Sequence, residues 1–504
     1  MSHLVIAPIL LPLITGLILL LMPERHRMRT HLLSMFSVFA LMVISVLLII
    51  KAGRGEFVVY ALGNWAPPFG IVLVLDRLSA IMMLLSSTLA FFSLLYTTDE
   101  KAPQVSPHFH SLAHFLLTGV NGAFLTGDLF NLFVFFEILL LSSYALLMQA
   151  GSARRAKAGL HYVILNVTGS AIFLIAIATL YGLTGTLNMA DLAVKVAAAD
   201  ADTAPFIGIA ALLLFIVFGL KAAIFPLYFW LPAAYSSAHG PVAALFAIMT
   251  KVGVYAIIRV YTLIFGNDAG ELSNILLPWL WPLAFITLIL GAIGALGARE
   301  LRVQISWLVI VSVGTLLTGV ALNSETALSA TIFYLLHSTW ICAALFLLTD
   351  LIIRQRGDAE DRITSAPEMR QSLLLGGLFF VAAISVIGMP PLSGFVGKAL
   401  ILQAATGPQT PWIWAGILLG GLAVLTALSR SGSTIFWRME NHVVTAPAAD
   451  IWSVIAILGL ILFSFGLMIF GNQVIAYTNA LAEQVLHPQP YIQAVLGHIP
   501  VKGN

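Results

Sequence analysis

The chain has 504 residues, of which 60% are hydrophobic and only 9% charged, with a mean hydropathy of +1.00. A soluble domain carries roughly a quarter charged residues, so this composition excludes a water-dissolved globular protein and requires lipid as solvent. A formal net charge of +2, with the basic residues scattered through short loops, excludes a nucleic-acid surface, and the single cysteine, Cys342, excludes an internal disulfide.

The first segment, His3 to Met22, lacks a basic leader region and is longer than the apolar core of a signal peptide, so it reads as a retained span. A hydropathy window of about 19 residues continues the pattern to the end of the chain. Cores fall at 3–22, 30–51, 74–97, 110–127, 129–150, 157–183, 205–232, 238–265, 275–297, 301–322, 325–353, 372–406, 411–438 and 450–478. The expected fold is therefore an all-α polytopic membrane protein of about 14 transmembrane helices. Spans four and five meet at Thr126, Gly127 and Asp128 with almost no loop, and no soluble domain or long linker is visible. The tail from Glu483 to Asn504, with Pro488, Pro490 and Pro500, reads as a short surface segment.

Basic residues alternate with the spans. One side holds Arg25, Arg27, Arg29, Lys101, Arg154, Arg155, Lys157, Arg299, Arg302, Arg354, Arg356, Arg362, Arg370, Arg430 and Arg438. The other holds Lys51, Arg54, Arg77, Lys195 and Lys502, with Arg259 near that face. Because basic loops stay in the cytoplasm, the bias predicts both termini on the outer side of a bacterial inner membrane.

Four charged residues sit where a bilayer is least tolerant. Glu137 lies about 8 residues, or roughly 12 Å, into span five. Lys221, Lys251 and Lys398 occupy similar depths in spans seven, eight and twelve, and His337 lies inside span eleven. A charge at the bilayer centre costs about 3 kcal/mol on insertion scales, so each needs a partner or a polar cavity and by default marks an ion or proton path. Glu137 and Lys221 can offset each other as an ion pair, whereas the other lysines have no carboxylate in their layer. Taken singly, such residues are also used to fix helix register, and His337 serves equally as a packing histidine; several at one depth favour a path.

Two of these spans are broken beside a lysine. Pro226, five residues after Lys221, has no N–H for its helix and crowds the preceding turn. Pro390 and Pro391, with Gly388, Gly394 and Gly397, interrupt span twelve before Lys398. Broken helices near the midplane supply free carbonyls, and their separation leaves five spans per unit, four to eight and nine to thirteen. An odd number of spans makes the two units inverted. The corresponding division is residues 1–109, 110–270, 271–440 and 441–504.

Other polar residues read more blandly. Asp128 and Arg77 stand at span ends, where charged heads reach water. His108, His110 and His114 do not share one helix face, so no metal site is expected. His239, before Gly240 and Pro241, stands at the cytoplasmic entrance of span eight, as a relay or a turn cap. Gly291, Gly294 and Gly297 read as close helix packing. Gly397 and Lys398 lack the rest of a phosphate loop, so nucleotide binding is rejected, and no cofactor motif is visible.

The run from Lys221 through FPLYFWLP to TKVGVYAIIR, together with Glu137 in FFEILLLSSYALL, resembles the antiporter-like membrane subunits shared by respiratory complex I and Mrp-type cation/proton antiporters. The wording FWLPAAY and TKVGVYAIIR is most similar to the D-type subunits of Mrp antiporters. The resemblance implies fourteen helices containing two inverted five-helix repeats, with helices seven and twelve broken. It further implies that Glu137 and Lys221 are a coupling ion pair, Lys251 a central relay, His337 a relay beside it and Lys398 the terminal proton site. It departs from many relatives at Tyr228 and Ala234, where they carry histidine and an acidic residue. The implied function is the proton-conducting part of a multisubunit sodium/proton antiporter, coupling proton influx to cation efflux, with other antiporter subunits and membrane lipid as partners. Such a protein is not an enzyme. The alternative is a redox-driven proton-pumping component of complex I or of a membrane-bound hydrogenase.

Overall fold

A computed structural model describes residues 2–23, 27–98, 108–149, 151, 153–443 and 447–497. Arg25, Lys101, Pro500 and Lys502 lie outside them. In chain order the helices are α1 (Ala7–Leu21), α2 (Arg27–Ala52), α3 (Arg77–Leu95), α4 (Phe109–Leu125), α5 (Leu129–Met148), α6 (Ala153–Thr184), α7 (Met189–Ala197), α8 (Ala204–Ala222), α9 (Trp230–Ser237) and α10 (Gly240–Phe246). They continue as α11 (Met249–Leu263), α12 (Leu277–Gly297), α13 (Leu301–Ala321), α14 (Glu325–Gln355), α15 (Ser372–Ile387), α16 (Ser393–Ala404), α17 (Thr410–Phe436), α18 (Ile451–Ile469), α19 (Gly471–Leu486) and α20 (Gln489–Leu496). Among the described residues, 11 helices are long and apolar enough to cross a membrane, and Ala7–Leu21 and Ser372–Ile387 are shorter apolar helices.

Among the described residues the strands form two small pairs. β1 (Val58–Ala61) pairs antiparallel with β2 (Val72–Leu75), and β3 (Ala366–Glu368) pairs parallel with β4 (Met439–Val443). The first pair explains how α4 turns into α5 without a loop. The Gly127 amide donates to the Val72 carbonyl at 2.9 Å, and the Asp128 carboxylate caps α5 through the Asn131 amide.

Both expected breaks are present. The span expected at 205–232 divides into α8 and α9, and the one at 372–406 divides into α15 and α16. Pro226 lies in the first gap and Pro390 and Pro391 in the second, where proline cannot continue an intrahelical ladder.

Helix packing follows the small residues. A Cβ on Gly291 would come 2.8 Å from the Val311 amide and one on Gly294 would strike the Trp307 ring, so α12 and α13 pack closely at these two positions. Gly297 differs, since nothing lies within 4 Å of its Cβ position. At the centre stands α14, buried along nearly its whole length and packed against α3, α10, α13, α15, α16, α18 and α19.

The tail differs from expectation. Beyond α18 the chain folds into α19 and α20, and Tyr491, Ile492 and Val495 of α20 are buried. Spaced at i, i+1 and i+4, they form one apolar helix face, and burial of that face outweighs the prolines as a signal.

Candidate functional site

Lys221 stands in the last turn of α8, 7% exposed. The helix ends because Ala223 adopts a left-handed conformation, φ 63°, and the following residues turn before Trp230 starts α9. The open ends are satisfied locally. Trp230 Nε1 donates to the Leu220 carbonyl at 3.1 Å, and the Phe225 amide donates to Thr287 Oγ1 at 2.8 Å. A break inside the protein is tolerable when its backbone groups find such partners.

The ammonium of Lys221 donates to Asn166 Oδ1 of α6 at 3.0 Å. The direct Glu137–Lys221 ion pair expected from the sequence is not made: no contact between them falls within 4 Å among the described residues. The reason is α6, which packs against both α5 and α8. Its Ser170 donates to Glu137 Oε1 and also to the Asn166 carbonyl at 3.1 Å, while the Asn166 amide donates to the Tyr162 carbonyl at 2.8 Å. Asn166 and Ser170 are four residues apart, hence on one helix face. From that face Ser170 meets the carboxylate and Asn166 the ammonium.

Lys251 follows on α11, fully buried, with Nζ 3.3 Å from both Thr250 Oγ1 and Ser312 Oγ of α13. It is brought beside the end of α8 by Gly253, where a Cβ would lie 2.4 Å from the Ala222 amide nitrogen. Only hydrogen at that position lets the broken helix end lie against α11.

The second half is arranged around α14 and the second break. His337 Nδ1 lies 2.8 Å from Ser393 Oγ; Ser393 lies 2.6 Å from Ser464 Oγ, which in turn lies 2.8 Å from Ser385 Oγ. Lys398 of α16 reaches back across the break, donating to the Val386 carbonyl at 3.1 Å and the Ile387 carbonyl at 2.8 Å. These are terminal carbonyls of α15, the negative end of a half-helix dipole, and they supply a counter-charge where no carboxylate does. Gly394 permits the approach, because a Cβ there would come 2.8 Å from His337 Nε2 and closer still to the Ser385 carbonyl.

His239 is the residue before α10, at the end of the bundle where Arg155 of α6 stands. Arg155 of α6 faces both ring nitrogens, NH1 at 2.9 Å from Nε2 and NH2 at 3.3 Å from Nδ1, and its Nε donates to the Ser237 carbonyl at 2.7 Å. Burial, and next the Arg155 guanidinium, hold the imidazole below its ordinary range. Asp350 of α14 stands nearby, bound by Tyr96 at 2.8 Å and Arg354 at 2.6 Å.

Sequence reasoning missed the uncharged links: Asn166, Ser170, Ser312, Ser393 and Ser464. The i, i+4 pair in α6 was the visible signal, since an asparagine in an apolar span needs a partner. It also missed Asp76, which caps α3 and pairs with Arg259 at 2.6 Å, both almost completely buried, with Tyr255 and Tyr491 flanking the guanidinium. Among the described residues no group of His, Cys, Asp or Glu could hold a metal ion.

Two discontinuous helices, an uninterrupted central helix and buried ionisable residues in both halves define a polytopic helical membrane protein of the ion-translocating type. The family model described as NADH:quinone oxidoreductase/Mrp antiporter, TM, matches residues 126–426, and the chain belongs to that family. It is 38% identical to the D-type subunit of a probable K(+)/H(+) antiporter of Rhizobium meliloti, over 98% of each chain. It is 35% identical to the D-type subunit of the Na(+)/H(+) antiporter of Alkalihalophilus pseudofirmus, over 98% of this chain and 100% of that one. Among solved structures, a chain of the Mrp complex from Dietzia sp. DQ12-45-1b superposes with a TM-score of 0.88 at 28% identity, covering 98% of this chain and 99% of that chain.

Proposed function

We propose that the chain is the D-type component of a Mrp-type multisubunit antiporter, the part that conducts protons while the complex expels a monovalent cation. The observation that carries this reading is the full-length likeness to D-type antiporter subunits, in a chain whose buried lysines are each held by polar side chains or helix-end carbonyls. It is a transporter component and acts beside other subunits of the complex in a bacterial inner membrane, with both termini on the outer side.

The proposed path runs from Glu137 through Ser170 and Asn166 to Lys221, then to Lys251, His337 and Lys398. A carboxylate, amines and an imidazole can each take up and release a proton, while the serines and the asparagine carry hydrogen bonds between them. Lys221 and Lys251 lie on packed helices, so their like charges repel and a proton on one favours departure from the other. A swing of Lys221 from Asn166 to Glu137 would exchange a neutral acceptor for a charged one and hold the proton on Lys221. His239 is the proposed entrance. The path holds more lysine than carboxylate, which suits protons, and sodium is the proposed cation, crossing in a neighbouring subunit.

The division into residues 1–109, 110–270, 271–440 and 441–504, with two inverted repeats in the middle, is supported by parallel packing. The pair α4 and α5 corresponds to α12 and α13, α6 to α14, and the broken α8 and α9 to α15 and α16. In each unit the middle helix hydrogen-bonds a residue at the break, Asn166 to Lys221 and His337 to Ser393.

The test is cation-driven dequenching of a pH dye in everted vesicles carrying the whole gene cluster, comparing wild type with Glu137→Ala and Lys221→Ala at matched assembly. Loss of sodium-dependent proton movement in both variants is expected. Persistence of activity would make these charges structural. A wild type that pumps only when a redox substrate is added would replace the antiporter by the redox-driven reading.

A further inference from the structure

Arg154, Lys157 and His161 follow one another on α6 at intervals of three and four residues, which sets them on one face of the helix, and all three are exposed. The same strip continues into the membrane as Leu160 and Ile164, which are 61% and 56% exposed. Beside it lies a groove of about 610 Å³ whose far wall is Pro232 and Ala233 of α9 and Val303 of α13. Arg154 is paired with Glu300 at 2.6 Å. Lys157 and His161, by contrast, have no hydrogen-bond or ion-pair partner among the described residues.

This groove is cationic at its mouth and apolar along its length. Lys157 opens the apolar core of span six, at 157–183, and His161 follows four residues later, about 6 Å further along the axis, where headgroups pass into acyl chains. A soluble anion would leave the apolar walls uncovered. A zwitterionic lipid would bring no net charge to the lysine. We propose that the groove binds an anionic phospholipid, with its phosphate held by Lys157 and His161 and an acyl chain lying against Ile164, Pro232 and Ala233.

Occupancy has a structural consequence. Pro232 and Ala233 belong to the second half of the broken helix, and α9 ends at Ser237, whose carbonyl accepts from Arg155 Nε, the same guanidinium that holds His239. A lipid seated in the groove presses on α9 and steadies that contact.

The experiment uses the complete antiporter complex in nanodiscs of phosphatidylcholine containing a minor fraction of phosphatidylglycerol. Phosphatidylglycerol retained by the purified complex is measured by mass spectrometry. Wild type should enrich it over the bulk fraction. Lys157→Gln with His161→Gln should lower that enrichment, by about fivefold for the lysine charge alone, while Lys157→Arg keeps it and Lys51→Gln, at the other end of the bundle, does not change it. In the wild-type background, a photocrosslinker replacing Ile164 should capture lipid. Equal retention in the double variant and the wild type would overturn the proposal. So would capture of another subunit from position 164, which would make the groove an interface within the complex.

Discussion

Lys221 Nζ donates to Asn166 Oδ1 at 3.0 Å, and this contact, in place of one with Glu137, satisfies the buried ammonium. A neutral amide oxygen accepts from an ammonium and, more weakly, from an amine, so Lys221 can lose its proton and keep this partner. A carboxylate in contact would hold the charge more firmly.

The amide is therefore expected to matter as much as the charges. Hydrogen bonds to charged groups contribute about 1.5–3 kcal/mol, so Asn166→Leu should slow proton movement by about tenfold or more. Dye dequenching at matched amounts of assembled complex reads this out. Undiminished activity would mean that Asn166 is only a packing residue.

Gly253 carries the close approach of α8 to α11. Gly253→Ala places a methyl group 2.4 Å from the Ala222 amide nitrogen, backbone that cannot yield. Overpacking of this kind costs about 1–3 kcal/mol, so a lower Tm is expected together with displacement of Lys221. Gly182, in α6 with nothing within 4 Å of its Cβ position, is the control. There alanine should raise the Tm slightly, because glycine inside a helix costs about 1 kcal/mol.

The Asp76–Arg259 pair, at 2.6 Å and with both side chains buried, predicts an asymmetry. Asp76→Asn keeps a capping side chain for α3 but leaves the Arg259 charge without its counter-ion, a loss of about 3–5 kcal/mol. Combining Asp76→Asn with Arg259→Met should recover more than half of it. Thermal unfolding of wild type and the two variants in detergent measures the difference, and a double variant no more stable than Asp76→Asn would refute the assignment.

His239 predicts a pH dependence with a definite sign. Its folded-state pKa lies below the ordinary 6.5, first through burial and then through Arg155, with Arg302 and Arg354 acting the same way and Asp350 opposing. The unfolded chain therefore binds the proton more readily, and the neutral imidazole's contribution is complete above about pH 6.5 and is lost as the pH falls below it. Tm measured from pH 8 to 5 should decline more steeply in wild type than in His239→Asn. Identical slopes would place the pH dependence elsewhere.

The membrane class, the two breaks and the charged residues were legible because each violates a rule that lipid enforces without reference to neighbours. A proline removes an N–H wherever it stands, and a lysine in an apolar span needs compensation whatever surrounds it. The buried face of α20 was less legible, because Pro488 and Pro490 resemble surface punctuation until Tyr491, Ile492 and Val495 are seen against the bundle. The partners of the charges were not legible at all. Lys221 could have paired with Glu137 on any count of charge and depth, yet α6 stands between them.

The residues alone settled which solvent the chain occupies, where its helices must break and which groups a bilayer must accommodate, since these follow from local composition and backbone chemistry. Three-dimensional packing settled what each charge touches: Asn166 for Lys221, Ser312 and Thr250 for Lys251, and the carbonyls of α15 for Lys398. Apart from the neighbour Thr250, these contacts join residues tens of positions apart or reach across a break, and hydropathy and spacing along one chain do not encode which helix faces which.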